Sequence, residues 1–235
     1  MNYVELARAE TERGELVLRE RRPGGDDLDD AAGAPTALEL RANGVFVMDT
    51  VEVSTERALA GAALAVVEEP RAVCVGGLGL GFTMHEVLAD SRVETCAVVE
   101  LEQALVDWMR DGTIAHGPAL LADERVKVVV ADIAIAVAEA RPHTYDLVLL
   151  DVDNGPGYLV HETNATLYEQ PFLEQVRAML RSGGALVVWS AAEAPELATA
   201  LGAVFDDVGA DALDVRLNDR DEQYWLYRGR VAAGS

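Results

Sequence analysis

Val75-Gly76-Gly77-Leu78-Gly79-Leu80-Gly81-Phe82 is the stretch that decides the fold of this 235-residue chain. It follows an apolar run, Ala72–Val75, that is typical of a buried strand, and it leads into a predicted helix over residues 82–89. Glycines at such a turn let the backbone bend tightly and approach a ligand where a Cβ atom would collide. Glycine-rich turns also serve close packing alone. The stretch therefore predicts a strand–turn–helix unit and marks a candidate ligand site.

After Pro70 the same succession of strand, turn and helix repeats along the chain. Apolar runs predict strands at Ala72–Val75, Thr95–Val99, Val126–Val130, Leu147–Leu150 and Ala185–Trp189, with helices near 82–89, 101–110, 133–140 and 167–181. Strands this apolar are expected to be covered on both faces, as in a parallel sheet with helices on either side. Two alternating segments, Leu213–Leu217 and Gln223–Arg228, predict an antiparallel hairpin at the far edge of the sheet. These elements predict an α/β, Rossmann-like fold with the layout of class I methyltransferases: a mostly parallel sheet ending in an antiparallel C-terminal hairpin.

The first 53 residues follow a different pattern. Gly14–Arg19 alternates like a strand, and Asn43-Gly44 between two apolar segments is a strong hairpin signal, because both residues tolerate positive φ. An alanine-rich helix then opens, with Ser54 as its predicted N-cap. We therefore predict two units: a small N-terminal β-hairpin element over residues 1–53, and a Rossmann-like domain over residues 54–235.

The net charge of the chain argues against some classes of binding partner. Acidic residues outnumber basic ones, 41 against 19, which gives a formal net charge of −22. This charge repels phosphate backbones and acidic membrane surfaces, so we expect no nucleic-acid partner and no membrane partner. The same field would attract a cationic small molecule, although it also fits a plain solubility device. Because the sequence shows no signal segment and no apolar run long enough to span a bilayer, we expect a cytoplasmic protein.

Acidic side chains follow the second and third predicted strands. Glu100 ends the second strand, where a carboxylate can accept hydrogen bonds from both ribose hydroxyls of a nucleoside. Asp132 ends the third strand, and the apolar Ile133 after it suits the ring face of an adenine. The glycine spacing departs from the dinucleotide form at Phe82 and matches that used for nucleosides of the S-adenosylmethionine type. The predicted nucleoside-binding residues are Gly77, Gly79, Gly81, Glu100, Asp132 and Ile133.

The fourth predicted strand ends in Asp151-Val152-Asp153-Asn154. Two carboxylates and an amide on one turn, next to the predicted nucleoside site, could hold an amine or accept its proton. The alternative is a polar turn in which a carboxylate caps backbone amides and has no catalytic role. We predict Asp151 and Asp153 as catalytic residues and Asn154 as a substrate contact, with Asp153 on the opposite side of the turn from Asp151. The four histidines show no metal-ligand spacing, so we expect no metal.

These residues resemble the spermidine synthase family over about residues 38–190. The likeness rests on the Asn43-Gly44 hairpin, the linking helix, the glycine turn and helix of Val75–Leu88, the acids Glu100 and Asp132, and Tyr145–Pro156. The resemblance implies a small N-terminal β domain before a methyltransferase-like catalytic domain. It also implies decarboxylated S-adenosylmethionine as the donor of an aminopropyl group to a diamine such as putrescine. On this basis Glu100 would bind the ribose, Asp132 the adenine, and Asp151 would bind and deprotonate the amine.

The family pattern is altered on the acceptor side. The glycine turn of the family carries an aspartate that grips the aminopropyl amine, and Leu80 takes that position here. The family's Asp-Ser-x-Asp-Pro becomes Asp151-Val152-Asp153-Asn154-Gly155, so the chain looks more like divergent spermidine synthase-like bacterial proteins.

We expect a transferase that uses S-adenosylmethionine or its decarboxylated form as co-substrate to alkylate a small-molecule, amine-type acceptor. A methyltransferase acting on a small molecule and a non-catalytic nucleoside-binding protein are the alternatives. The sequence leaves open whether the chain forms a homodimer.

Overall fold

The computed structural model describes residues 2–22, 36–51, 53–153, 155–157, 159, 162–217 and 220–234. Their strands form two sheets, one of four strands and one of seven. One of the predicted site residues, Asn154, lies outside the described residues. In the parts of the chain listed here, no helix is long and apolar enough to cross a membrane.

The N-terminal sheet is antiparallel and consists of β1 (Asn2–Thr11), β2 (Gly14–Arg22), β3 (Ala37–Ala42) and β4 (Val45–Asp49) in sequential order. The predicted hairpin is confirmed, because Asn43 and Gly44 adopt φ values of 53° and 76° between β3 and β4. The sequence did not predict β1. This strand is an edge strand that is largely exposed, so its apolar residues are interrupted by charged ones.

Helix α1 (Ser54–Val66) connects the two sheets and begins where the sequence predicted. Its N-cap position is Val53 and not Ser54, and no side chain caps it. The helix buries one stripe, with Leu59, Ala60 and Ala63 fully excluded from solvent against the larger sheet and its first helix. The division into units at residue 53 stays a prediction.

The larger sheet has the strand order β10-β11-β9-β8-β5-β6-β7. The strands are β5 (Ala72–Gly76), β6 (Thr95–Glu100), β7 (Val126–Val130), β8 (Tyr145–Leu150), β9 (Leu180–Ser190), β10 (Asp207–Leu217) and β11 (Arg220–Arg230). Strands β5 to β9 pair in parallel, and β11 pairs antiparallel with both β9 and β10. The predicted parallel sheet with an antiparallel hairpin at its edge is therefore confirmed, and the chain has a class I methyltransferase-like fold.

Helices cover both faces of this sheet. They are α2 (Phe82–Ala89), α3 (Gln103–Asp111), α4 (Gly117–Leu121), α5 (Ile133–Glu139), α6 (Gln170–Met179) and α7 (Pro195–Val204). The predicted helix over 167–181 is instead the end of a 3-10 helix (Glu162–Tyr168) followed by α6, whose first turn contains Pro171. The sequence did not predict α4 or α7.

Strand β7 departs from the expectation that every strand is covered on both faces. It is the edge of the sheet, and Val129 and Val130 remain 43% and 41% exposed. The inner strands behave as expected, because Val73, Val98 and Leu147–Leu150 are fully buried. An apolar run thus predicts a strand correctly. The position of that strand in the sheet decides how much of it neighbouring elements cover.

Candidate active site

A cavity of about 190 Å³ lies between the N-terminal sheet and the carboxyl ends of β5, β6, β7 and β8. The turns after these four strands supply one wall, and β2, β3 and β4 with the β1–β2 turn supply the other. This is the edge at which open α/β sheets bind ligands. The predicted site residues that line this cavity are Gly77, Gly79, Glu100, Asp132, Ile133, Asp151 and Asp153.

The glycine turn has the close approaches that its composition predicts. Gly77 has a φ of 95°, and a Cβ atom there would lie 2.1 Å from the backbone oxygen of Asp151. Gly79 has a φ of 49°, and a Cβ atom there would lie 2.7 Å from Sδ of Met48. Both glycines line the cavity. The turn therefore needs glycine for backbone packing and for the contact with the N-terminal sheet.

Gly81 has a different place from the other two glycines. It is the N-cap of α2 with a φ of 87°, and a Cβ atom there would meet the side chains of Met109 and Leu120. It is absent from the residues that line the cavity. Gly81 therefore packs against core side chains, and its role in nucleoside binding stays a prediction.

Glu100 is buried, with 7% of its surface exposed, at the end of β6. Its Oε2 accepts from the Leu78 amide at 2.9 Å, and its Oε1 accepts from the Glu102 amide at 2.8 Å. Burial raises the pKa of the Glu100 carboxyl, although hydrogen bonds from the backbone of Glu102, Leu78 and Leu101 oppose the shift. Each carboxylate oxygen can accept a second hydrogen bond, so Glu100 ties the glycine turn to β6 and keeps acceptor capacity for a ribose.

Asp132 is exposed and caps α5, because its Oδ1 accepts from the Ala134 amide at 2.8 Å. Ile133, the next residue, is buried, and both residues line the cavity. The capping role alone accounts for an acid at this position. The second carboxylate oxygen of Asp132 is the one that could reach an adenine amino group.

Asp151 follows β8, and its Oδ2 accepts a hydrogen bond of 2.7 Å from Oγ1 of Thr83 in the first turn of α2. The backbone N–H of Asp151 donates to the carbonyl of Gly76 at 2.8 Å. Burial raises the pKa of the Asp151 carboxyl, and the Thr83 bond lowers it by less. A carboxylate of raised proton affinity at a cavity wall is suited to accept a proton from an amine.

Asp153 lines the same cavity as Asp151, and its placement on the opposite side of the turn stays a prediction. Its backbone adopts a φ of 55°. Asn164 of the 3-10 helix donates from Nδ2 to Oδ2 of Asp153 at 2.7 Å. Asn154, the predicted substrate contact, lies outside the described residues.

The side chains that line the cavity are strongly unequal in charge. Among the described residues of the lining, one guanidinium, that of Arg13, is set against the carboxylates of Glu15, Glu56, Glu100, Glu102, Asp132, Asp151 and Asp153. Among the described residues, no three histidine, cysteine or acidic side chains come together as a candidate metal site. A cavity of this composition favours a cationic ligand.

Three residues at the site were missed from the sequence: Arg13, Met48 and Thr83. Met48 reaches over the glycine turn, where its Sδ accepts from the Leu80 amide at 3.2 Å. These residues act through contacts with partners far away in the chain, so no local pattern marks them. The nearest signal is the Asn43-Gly44 hairpin, which places Met48 at the site.

Known proteins share both the sequence pattern and the fold. A model of the spermine/spermidine synthase domain matches residues 52–207. The chain belongs to this family.

Two curated relatives are similar over about half of the chain. Polyamine aminopropyltransferase 2 of Pseudomonas aeruginosa is 33% identical over 125 residues, which are 52% of this chain and 34% of that protein. Putrescine N-methyltransferase 3 of Nicotiana tabacum is 33% identical over 123 residues, which are 52% of this chain and 30% of that protein. The matched segment thus spans about a third of the length of each relative.

The fold extends the likeness to nearly the whole chain. The crystal structure of spermidine synthase from Thermotoga maritima superposes with a TM-score of 0.75 over 98% of this chain and 73% of that one, at 15% sequence identity. At this identity the superposition shows a shared fold. It includes the N-terminal residues that the family model leaves unmatched.

The structure also shows the surroundings of Leu80, at which the sequence departs from the family pattern. Leu80, which the resemblance places at the position of the family's amine-gripping aspartate, is fully buried, and its carbonyl oxygen lies 2.6 Å from Nε2 of His116. Leu80 therefore belongs to the core behind the glycine turn. A donor amine would have no carboxylate at this position.

Proposed function

We propose that this chain is a transferase that binds an adenosyl sulfonium nucleoside and alkylates an amine. The observation that carries the proposal is that one cavity is lined both by the nucleoside-type strand ends and by Asp151 and Asp153. Donor and acceptor would meet there without further movement of the sheet. Proximity of this kind converts a bimolecular reaction into one between positioned groups.

The residues present fit an adenosyl nucleoside. Glu100 retains acceptor capacity for the ribose hydroxyls, and Asp132 lies with Ile133 at the neighbouring strand end for the adenine. The turn at Gly79 brings backbone to the cavity with no side chain in between. S-adenosylmethionine and its decarboxylated form share this nucleoside, so these residues serve either donor.

Asp151 is the proposed base. A bound sulfonium supplies the leaving group, since the electrons of the broken carbon–sulfur bond stay on sulfur as a neutral thioether. The protein must align the amine and keep its nitrogen lone pair available. The Asp151 carboxylate, oriented by Thr83, accepts the proton that the nitrogen loses. Asp153, oriented by Asn164, supplies a second negative charge for a cationic acceptor.

The acceptor class follows from the charge of the cavity and from the relatives. Seven carboxylates against one guanidinium attract a di- or polyamine and oppose an acidic acceptor. The two curated relatives named above carry an aminopropyltransferase and a putrescine N-methyltransferase name. Both names imply an amine as the acceptor, and polyamine metabolism is the proposed setting.

Methyl transfer from S-adenosylmethionine is the second candidate activity. The burial of Leu80 favours it, because an aminopropyl donor would bring an ammonium group that finds no carboxylate at this position. A methyl group needs no such partner. The two candidates share the acceptor chemistry and Asp151, and they differ in the donor alone.

Calorimetric titration of the purified chain with S-adenosylmethionine, its decarboxylated form and methylthioadenosine tests the proposal. We expect methylthioadenosine to bind, and the preference between the other two to identify the donor. Turnover should then be measured with di- and polyamines against neutral and acidic small molecules. No binding of any nucleoside overturns the proposal. Binding with no turnover of any amine instead supports a non-catalytic nucleoside-binding protein.

A further inference from the structure

Arg13 joins the two sheets at the rim of the candidate site. It lies in the turn between β1 and β2, and its Nε donates to Oε1 of Glu102 at 2.7 Å. Its Nη2 donates to the carbonyl oxygen of Leu101 at 3.0 Å. Leu101 and Glu102 directly follow Glu100, so a side chain of the N-terminal sheet is anchored beside the predicted ribose carboxylate.

The β1–β2 turn that carries Arg13 is itself held in place by Asn43. The Asn43 side chain accepts from the Glu15 amide at 2.9 Å and donates to the carbonyl oxygen of Arg13 at 3.2 Å. Gly14 has a φ of 118°, and a Cβ atom there would lie 1.8 Å from Oδ1 of Asn43. The turn is therefore packed against the β3–β4 hairpin, and Arg13 projects from a defined backbone.

Arg13 separates two spaces. It lines the inner cavity described above and also a shallower outer cleft, together with Leu101, Asp132 and Asn164, which border both. The outer cleft opens beside the exposed side chains of Val130 and Ile135. The guanidinium, bonded to Glu102 and Leu101, thus borders both the inner cavity and the outer cleft.

The bridge is also electrostatically favoured. Arg13 is the single cation that the described part of the chain places in the lining of the inner cavity, and Glu102 is 9% exposed. The bond to Glu102 raises the pKa of the Arg13 guanidinium. A partly buried ion pair between a rigid turn and a strand end opens only at a free-energy cost.

We infer that Arg13 and Glu102 form a latch over the nucleoside end of the cavity, which must open for the nucleoside to enter or leave. The inference rests on the proposed nucleoside site. Both partners of the bridge belong to the protein, so its opening is a barrier shared by entry and exit. Removing the bridge should therefore raise the association and dissociation rates together and leave the dissociation constant nearly unchanged.

Stopped-flow binding of methylthioadenosine tests the latch, with the fluorescence of Trp189 in the cavity wall as the signal. Arg13→Gln removes the cation, and Glu102→Gln removes its partner while keeping the backbone N–H that binds Glu100. We expect both rates to rise about tenfold in either variant, because the free energy of one hydrogen bond to a charged group corresponds to a change of about this size. Arg110→Gln, which removes a cation from the exposed face of α3, is the matched control and should change neither rate.

Salt adds a second readout, because it weakens the ion pair. The wild-type rates should rise with ionic strength, and those of Arg13→Gln should rise less. A change in the dissociation rate alone would make Arg13 a ligand contact and overturn the latch, as would unchanged rates in both variants. If the folded wild type binds no methylthioadenosine, the assignment of the nucleoside site is wrong, and the latch proposal that depends on it is wrong as well.

Discussion

Thr83 in the first turn of α2 donates a 2.7 Å hydrogen bond to Asp151 at the end of β8, and the two residues lie 68 positions apart in the chain. The bond engages Oδ2 of Asp151, whose Oδ1 has no hydrogen-bond partner among the described residues. Thr83 is itself buried, so it holds one carboxylate oxygen in place and leaves the other for an acceptor. Burial raises the pKa of Asp151, and this bond opposes the shift. The pair therefore sets both the orientation and the proton affinity of the proposed base.

Replacing Asp151 with Asn should lower turnover by about 10²–10⁴-fold, the usual contribution of a general base. The affinity for methylthioadenosine should change little, because nucleoside binding is assigned to other strand ends. Asp153→Asn is the comparison within the same turn: it removes a charge and should raise the KM for the amine more than it lowers kcat. Steady-state kinetics with calorimetry separates these effects. A fully active Asp151→Asn would favour another base.

Thr83→Val should move the acid limb of the activity profile to higher pH. Asp151 must be ionised to accept a proton, so activity is lost as the pH falls through its raised pKa. The threonine bond favours the ionised form, and its removal raises that pKa further. Thr83→Ser keeps the hydroxyl and is the matched control. An unchanged limb in Thr83→Val would mean that another group controls the profile.

Asp151→Asn should also stabilise the fold at neutral pH. The folded-state pKa of Asp151 is raised, so its contribution to stability is present below the ordinary value of 3.8 and is lost as the pH rises through the raised value. Asn keeps an acceptor for Thr83 and carries no charge. Thermal unfolding should therefore show a higher Tm for the variant at neutral pH, and the difference should shrink towards acid pH. A lower Tm at neutral pH would contradict the burial argument.

Glu100→Ala should weaken methylthioadenosine binding by roughly 1–3 kcal/mol, because the ribose hydroxyls lose their acceptor. Glu100 also binds the Leu78 and Glu102 amides, so Glu100→Gln serves as a second variant that retains one acceptor oxygen. Glu94→Gln, an exposed carboxylate just before β6, is the control for the loss of charge. Equal affinities for wild type and Glu100→Ala by calorimetry would remove Glu100 from the site.

Gly79→Val should abolish nucleoside binding while the chain stays folded. The φ of 49° is unfavourable for a branched side chain, and the new Cβ atom would press on Sδ of Met48 at the cavity wall. Gly61→Ala in α1, where a Cβ atom meets nothing within 4 Å, is the control and should leave binding intact. Circular dichroism and calorimetry together read out the result. Loss of folding in Gly79→Val would show that the glycine serves packing first.

Much of the fold could be predicted because its signals are local. The apolar runs of β5, β6 and β8 gave strands within a residue or two of their observed bounds, and α2 matches its predicted range. Strand β1 could not be predicted, since an exposed edge strand needs no continuous apolar run. The exposure of Val129 and Val130 escaped prediction for a related reason: the order of strands, and not their composition, makes β7 the edge.

The candidate site was partly predictable for the same reason. Residues at strand ends share one edge of a parallel sheet, which is why Glu100, Asp132 and Asp151 line one cavity as expected. The left-handed backbone of Asp153 could not be read from the residue type. The packing of Gly81 against Met109 and Leu120 also could not be predicted, because it depends on residues far away in the chain.

The sequence by itself determined most strands and helices after residue 70, the glycine turn and the acids at the strand ends, because each depends on residues close together in the chain. Only the tertiary structure decided which distant side chains meet: Met48 on the glycine turn, Thr83 on Asp151, Asn164 on Asp153 and Arg13 on Glu102. The contacts of Met48 and Arg13 depend on how the two sheets pack, and those of Thr83 and Asn164 depend on how helices pack at the end of β8. No spacing along the chain encodes them, because packing brings together residues that the sequence keeps apart.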